Sequence, residues 1–263
     1  MKMQRTKIEW CDYTCNCFWG CLEECSYCQA RSLARRFGKR IGEKRGYNPE
    51  VIQKMREFKP VFLKDRLQML YTIKNPSKIF MSFMGEPFCD DFYPYMPYAF
   101  QAIKDNPQHT IMMLTKQPQN LIKWSPFPDN CWLGVSVTNP EMFVEACYRL
   151  KRITAKVKFL SFEPLLNFEP RPDTLSWPLW ILQWIRLGEV NWVIIGAQTP
   201  YSKKTAPRKE WVDEIVDATD KASIPVFLKE NLRPVLKEVY GNMPMRQEMP
   251  NGKPTLLSLL PLK

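Results

Sequence analysis

The chain has 263 residues, with 38 Lys and Arg against 27 Asp and Glu, a formal charge of +11, nine cysteines and one histidine. Hydrophobic residues at 45% and aromatics at 13% suffice for a substantial core, which excludes an intrinsically disordered chain, and the length suits one α/β barrel or two smaller domains. With His109 alone, a centre needing two histidines is excluded, so metal chemistry falls to thiolates.

Met1-Lys2-Met3-Gln4-Arg5 has no apolar stretch behind its charges and does not read as a secretory signal. The longest apolar run, near Trp177–Ile185, is interrupted by Gln183 and followed by Arg186 and Glu189, too short to span a bilayer. A cytoplasmic location without a membrane partner is expected. Among reduced thiols, nine cysteines read as metal ligands or buried thiols before disulfides.

Apolar, β-branched runs at Ile79–Phe83, Thr110–Leu114, Trp132–Val137, Val157–Phe162, Trp192–Ile195 and Pro225–Leu228 predict buried strands. Helical spacing lies between them, at Glu141–Ile153 and Lys209–Ala222 for example. The alternation predicts parallel strands with right-handed crossovers. The expected fold is α/β, a partial (β/α)6-type or near-complete parallel barrel, with the active site at the C-terminal ends of the strands. A single domain over 1–263 is expected, with a basic insertion at about 38–60 and a C-terminal extension at about 230–263.

Strand exits then nominate functional residues. They carry Met84-Gly85-Glu86-Pro87, Thr115-Lys116-Gln117, Ser136 with Thr138-Asn139, Glu163-Pro164, Gly196-Ala197-Gln198 and Lys229-Glu230-Asn231. Lys116 and Lys229 can bind an anionic group there or simply snorkel into solvent, and Glu163 would pair with one of them. Cys89, just past Glu86, falls near the expected pocket. His109 precedes its strand and reads as structural. Trp177, Trp180 and Trp184 share one helical face, where packing competes with base stacking.

Charge is uneven. Residues 31–60 hold ten Lys and Arg against three Glu, a net of +7, interleaved with Phe37, Tyr47 and Phe58. Smaller groups recur at Lys151, Arg152, Lys156 and Lys158, and at Lys203, Lys204, Arg208 and Lys209. Each group alone can be a solvated face, but the concentration favours a nucleic-acid partner, DNA or RNA.

Six cysteines fall between positions 11 and 28, and Cys21, Cys25 and Cys28 have C-x3-C-x2-C spacing. Three thiolates on a short loop can hold three irons of a cubane cluster and leave the fourth iron open. A four-thiolate zinc site using Cys15 or Cys17 is the alternative, although zinc usually takes two C-x2-C pairs. Cys11, Cys15 and Cys17 can form a second metal site, donate hydrogen or pack near the first strand. Cys131 and Cys147 read as core.

The Cys21, Cys25, Cys28 spacing with Tyr27 resembles the signature of the radical S-adenosylmethionine superfamily. The resemblance implies a [4Fe-4S] cluster on these three cysteines, with S-adenosylmethionine bound at the open iron. It also implies that Met84-Gly85-Glu86-Pro87 stands for the superfamily's Gly-Gly-Glu motif, with Gly85 and Glu86 binding the cofactor and Glu86 taking the methionine amino group. Ser136 would contact ribose and Gly196 adenine, while Lys116 or Lys229 could meet the cofactor carboxylate. Thr6–Trp10, Pro107–Thr110, Leu114–Lys116, Trp132–Val137, Glu163–Leu166 and Trp192–Gly196 further resemble blocks of a phage-associated family of radical-SAM-like proteins. Gly196-Ala197-Gln198-Thr199 departs from the Gly-Gly-Glu-Ser expected there.

The resemblance implies an enzyme that cleaves S-adenosylmethionine to a 5′-deoxyadenosyl radical, supplied with electrons by a flavodoxin or ferredoxin. It would abstract hydrogen from nucleic acid, in base modification or lesion repair. The same chemistry on a peptide or small metabolite is one alternative. A non-catalytic, metal-stabilised nucleic-acid-binding protein is another.

Overall fold

The computed structural model describes residues 5–170 and 176–250. In chain order the elements are β1 (Tyr13–Cys15), β2 (Phe18–Trp19), α1 (Gln29–Lys44), α2 (Pro49–Glu57), β3 (Val61–Phe62), β4 (Lys78–Met81), α3 (Met96–Lys104) and β5 (Thr110–Thr115). Then follow β6 (Cys131–Ser136), α4 (Pro140–Leu150), β7 (Val157–Phe162), α5 (Trp177–Leu187), β8 (Trp192–Ile195), α6 (Lys209–Lys221), β9 (Val226–Leu228) and α7 (Lys237–Tyr240). The fold is α/β, with a seven-stranded parallel sheet in the order β1-β4-β5-β6-β7-β8-β9. This sequential order, without pairing of β1 to β9, is that of a partial barrel rather than a closed one.

Two compact units divide the chain, Met1–Leu133 and Gly134–Lys263. In the first, β1, β4 and β5 pair in parallel, with Tyr13 opposite Ile79 and Ile79 opposite Ile111. The distinctive part of this unit is a helical hairpin. Asn48 starts α2 by accepting a 2.8 Å bond from the Val51 amide, with Pro49 in the first turn, where its missing N–H costs nothing. The buried face of α1 is Ala34, Gly38 and Gly42, four residues apart. A Cβ on Gly38 would stand 2.9 Å from the Met55 carbonyl oxygen, and one on Gly42 2.7 Å from Ile52 Cγ1, so the helices meet almost backbone to backbone. Residues 38–60 thus begin inside α1, run through α2 and reach the start of β3.

In the second unit β7, β8 and β9 pair in parallel, Phe159 opposite Trp192 and Val193 opposite Val226. Every residue of β7 and β8 is buried, which explains the apolar run of β8 and, in β7, an apolar run interrupted only by Lys158 and Ser161. Lys158 is no surface cation: its Nζ is buried against the Leu150 and Ile153 carbonyls at 3.0 and 3.2 Å and pairs with Glu189 at 2.7 Å. Trp177 and Trp180 stack on each other at 4.4 Å, Trp177 against Phe168 and Trp180 against Phe143, so the tryptophan face of α5 packs. Beyond β9 the chain returns antiparallel, with Phe227 opposite Gln247. Residues 251–263 of the expected C-terminal extension lie outside the described residues.

The expected strands stand with small boundary shifts: Lys78–Met81 for Ile79–Phe83, Thr110–Thr115 for Thr110–Leu114, Cys131–Ser136 for Trp132–Val137 and Val226–Leu228 for Pro225–Leu228. The helices end at Leu150 and Lys221 rather than Ile153 and Ala222. Among the described residues no helix is long and apolar enough to cross a membrane.

The hairpin contact is testable. Gly38→Leu should destabilise the protein by about 1–3 kcal/mol, because the clash is with backbone that cannot rotate away. Arg35→Ala, on the exposed side of the same helix, should stay within about 0.5 kcal/mol. Denaturant unfolding of the two variants checks both.

Candidate active site

In the first unit the cysteine loop runs from β2 to α1 and is stitched down at both ends. Gly20 has φ +98° and pairs with Gly85 in an isolated parallel bridge. The Gly20 amide donates to the Met84 carbonyl at 2.8 Å, and the Glu86 amide donates to the Gly20 carbonyl at 3.2 Å. A Cβ on Gly85 would lie 2.6 Å from the Phe18 carbonyl oxygen, and one on Gly20 would overlap the Lys59 carbonyl. Both positions therefore require glycine. The Cys21 amide donates to the Phe58 carbonyl at 3.0 Å, at the left-handed residue that ends α2. Arg31 lies over the Phe58 ring and donates to the Glu23 carbonyl.

Cys21, Cys25 and Cys28 are all half-buried and free, whereas the other six cysteines are buried. Cys28 is the N-cap of α1, its sulfur accepting from the Arg31 amide at 3.3 Å, and Cys21 Sγ accepts from the Glu23 amide at 3.3 Å. Burial, with Glu86, Glu23 and Cys25 nearby, pushes the Cys21 thiol up to about 11. Among the described residues no three His, Cys, Asp or Glu side chains are gathered closely enough to enclose a metal. The donor chemistry nonetheless fits an iron–sulfur cluster: three reachable thiols on one short loop, two already accepting the backbone N–H bonds that favour thiolates.

Behind Gly85, Glu86 is buried in a cage of donors. The Thr115 hydroxyl donates to one carboxylate oxygen, as does the Phe88 amide at 3.3 Å, and the Lys116 amide donates to the other at 2.8 Å. Burial raises its pKa, and these donors hold the rise back. Lys116 sends its Nζ over the Tyr27 ring at 5.8 Å, and Gln117 donates to Glu23 at 3.0 Å, so the exit of β5 also holds the cysteine loop. Ser82, just past β4, has φ +75° and a buried hydroxyl without a hydrogen-bond partner. Cys89 is buried beside Asp91 and Glu86, and burial pushes its thiol up to about 12.

The second unit carries its own polar group. Lys229 at the exit of β9 is ion-paired to Glu163 at the exit of β7. The space beside Gly196 is already occupied: a Cβ there would be 3.0 Å from Lys229 Cδ and 3.3 Å from both Glu163 Cγ and Asn231 Oδ1. Both backbone groups of Gly196 are used, its amide donating to Phe162 and its carbonyl accepting from Leu165, each at 3.0 Å. Asn231 accepts from the Ala197 amide at 3.0 Å and donates to the Ala197 carbonyl at 2.8 Å, imitating a further strand. Ser136 is buried at the end of β6.

Cys21, Gly85, Glu86, Cys89 and Lys116 are thus brought together in one unit, and Glu163, Gly196 and Lys229 in the other. Thr115 and Asn231 sit on strand exits already singled out in the sequence, yet their roles depend on partners 29 and 34 residues away. Gly20 had one local sign, its place directly before Cys21. His109 is buried before β5, its Nε2 3.1 Å from the Ile73 carbonyl, as a structural residue.

A family model described as "Protein of unknown function (DUF5131)" matches residues 5–238, and the chain belongs to that family. No curated protein matches the sequence. A solved structure of a spore photoproduct lyase mutant resembles the chain with a TM-score of 0.55 at 10% identity, covering 86% of this chain and 78% of the other. At that identity the likeness is one of fold.

Thiol reactivity tests the contrast among cysteines. Native alkylation of the metal-free protein at pH 8 should modify Cys21, Cys25 and Cys28 first. Cys89 and Cys131, both pushed up to about 12 by burial, should resist until the chain unfolds, since only about one in ten thousand would be thiolate. Peptide mass spectrometry reads the order, and early labelling of Cys89 would contradict its burial.

Proposed function

We propose that this member of the DUF5131 family is a radical S-adenosylmethionine enzyme acting on nucleic acid. The observation that carries the reading is the cysteine loop tied through Gly20 and Gly85 to Glu86. This joins the three-thiol motif to the segment that resembles the superfamily's amino-group ligand. When bound, the [4Fe-4S] cluster would supply one electron for cleavage of S-adenosylmethionine to methionine and a 5′-deoxyadenosyl radical that takes hydrogen from the substrate.

Cys21, Cys25 and Cys28 would hold the cluster, and Arg31 and Phe58 hold their loop. Gly85 supplies the close approach, and Glu86 is oriented by Thr115 and the Lys116 amide to receive the methionine ammonium. An ammonium partner would favour the ionised form of Glu86, opposing the effect of burial. Lys116, parked against Tyr27, is placed to meet a carboxylate near the same loop. Cys89 is assigned to catalysis as an S–H rather than a thiolate, since burial pushes its thiol up to about 12. Ser136 is assigned to ribose and Gly196 to adenine. Lys229, Glu163 and Asn231 fill the space beside Gly196, so adenine would have to displace these side chains to reach it. The Glu163–Lys229 pair is assigned to substrate. The +7 charge of residues 31–60 supports a polyanionic substrate, and a flavodoxin or ferredoxin is the electron donor assigned.

Anaerobic purification with iron, sulfide and zinc analysis is the first test: about four irons per chain are expected. The reduced protein should then yield methionine and 5′-deoxyadenosine. Cys25→Ala should abolish both cluster and cleavage, and Glu86→Gln should keep the cluster while lowering cleavage at least tenfold. Stoichiometric zinc without iron would overturn the enzyme reading.

A further inference from the structure

The segment after Cys89 carries a feature that the proposed chemistry leaves unused. Tyr93, Tyr95 and Tyr98 are 52, 40 and 51% exposed within six residues of one short turn and the start of α3. Scattered exposed aromatics are ordinary, but these are organised. Phe62 of β3 stacks on Tyr95, centroids 4.7 Å apart and planes 13° from parallel, with Tyr98 at 6.5 Å. Phe62 is half-buried and itself packs on Phe18 at 5.3 Å, so the tyrosine platform stands on the core.

The charges around the rings are mainly cationic. Lys64 Nζ lies 4.6 Å above the Tyr98 centroid, while Lys54 of α2 pairs with Glu50. Asp65, beside Lys64, is taken up by the Tyr47 hydroxyl at 2.8 Å and Arg45 at 3.9 Å. Across the hairpin, α1 exposes Arg35, Arg36, Arg40 and Lys44 with no carboxylate at ion-pair distance among the described residues, and Arg36 and Arg40 flank the Phe37 ring. Tyr93 differs: the Lys123 ammonium over its ring at 5.9 Å is paired with Asp90 at 3.1 Å, and Asp91 adds a second carboxylate to the same turn, which a polyanion would avoid. The exposed rings that share the Phe62 backing, away from these carboxylates, are Tyr95 and Tyr98.

We propose that Tyr95 and Tyr98, backed by Phe62 and with Lys64 over the Tyr98 ring, form a base-stacking platform for a single-stranded nucleic acid, whose phosphates are met by the cations of the α1–α2 hairpin. Flat aromatic faces accept any base, and interleaved cations hold the backbone, which is the combination that single strands require. Duplex DNA keeps its base faces stacked inside and would gain only the charge term. This rests on the nucleic-acid reading above and names the form of nucleic acid and the surface that holds it.

Binding needs neither cluster turnover nor S-adenosylmethionine, so anisotropy of a fluorescein-labelled oligothymidylate, titrated with the full-length protein, tests the surface directly. The wild-type should bind the single strand more tightly than the matching duplex. Tyr95→Ala with Tyr98→Ala should weaken binding about tenfold or more without changing the slope of log K against log salt. Phenylalanine at both positions should restore affinity, since the ring and not the hydroxyl stacks. It also covers the case in which the alanine pair disturbs Phe62. Lys64→Gln should lower the salt slope by about 1. Wild-type binding that the alanine pair leaves intact, or a preference for duplex, overturns the platform but leaves a nucleic-acid substrate standing. No binding to either form, or displacement of the strand by a proline-rich peptide at lower concentration, overturns both.

Discussion

Neither Gly20 nor Gly85 has room for a side chain, and most of the first unit's candidate chemistry hangs on that close approach. The bridge between them brings two loops, from β2 and from β4, to within hydrogen-bond distance along their backbones. Cys21 follows one glycine and Glu86 the other, so a motif of thiols and a buried carboxylate become neighbours through main-chain geometry alone. The Lys59 carbonyl against Gly20 adds the end of α2 to the same junction. Any Cβ here would push apart backbone, which yields far less readily than a rotamer.

The two polar groups differ in kind. Glu86 is held by neutral donors, a hydroxyl and two backbone amides, and burial raises its pKa; a cation brought to it would find a carboxylate already oriented. Glu163 instead has its cation supplied by the protein, in Lys229. A carboxylate awaiting a cation is suited to binding, whereas one already paired resists removal of either partner. Gly196 belongs to the second arrangement, because its missing side chain is the space in which Glu163, Lys229 and Asn231 meet.

The hairpin shows how one helix serves packing and charge together. Small residues at 34, 38 and 42 let α1 lie directly on α2, which turns Arg35, Arg36, Arg40 and Lys44 outward. The first turn of this helix is capped by Cys28. The cationic face therefore begins with Arg35, about two helical turns from the proposed cluster ligand Cys28 and on the same helix.

Much of this was legible in the sequence. Val157–Phe162 and Trp192–Ile195 are recovered to the residue, because a strand buried on both faces writes its apolar character into consecutive positions. The C-x3-C-x2-C spacing, the charge excess after it and the structural role of His109 are equally local. The hairpin was less legible: its charges suggested an insertion, and the small-residue spacing that makes it two packed helices acquires meaning only opposite Met55 and Ile52. Likewise Glu163 had two candidate lysines, and only tertiary structure assigns it Lys229, 66 residues away. Lys158 counted as surface charge until packing placed its ammonium inside. Periodicity and motif spacing are properties of neighbouring residues, so the sequence by itself determined the strands from β4 to β9, the thiol loop and the class of fold, but not the short strands β1 to β3. Which glycine must stay bare, which carboxylate is caged and which is paired depend on groups brought together by folding, and only the tertiary structure decided them.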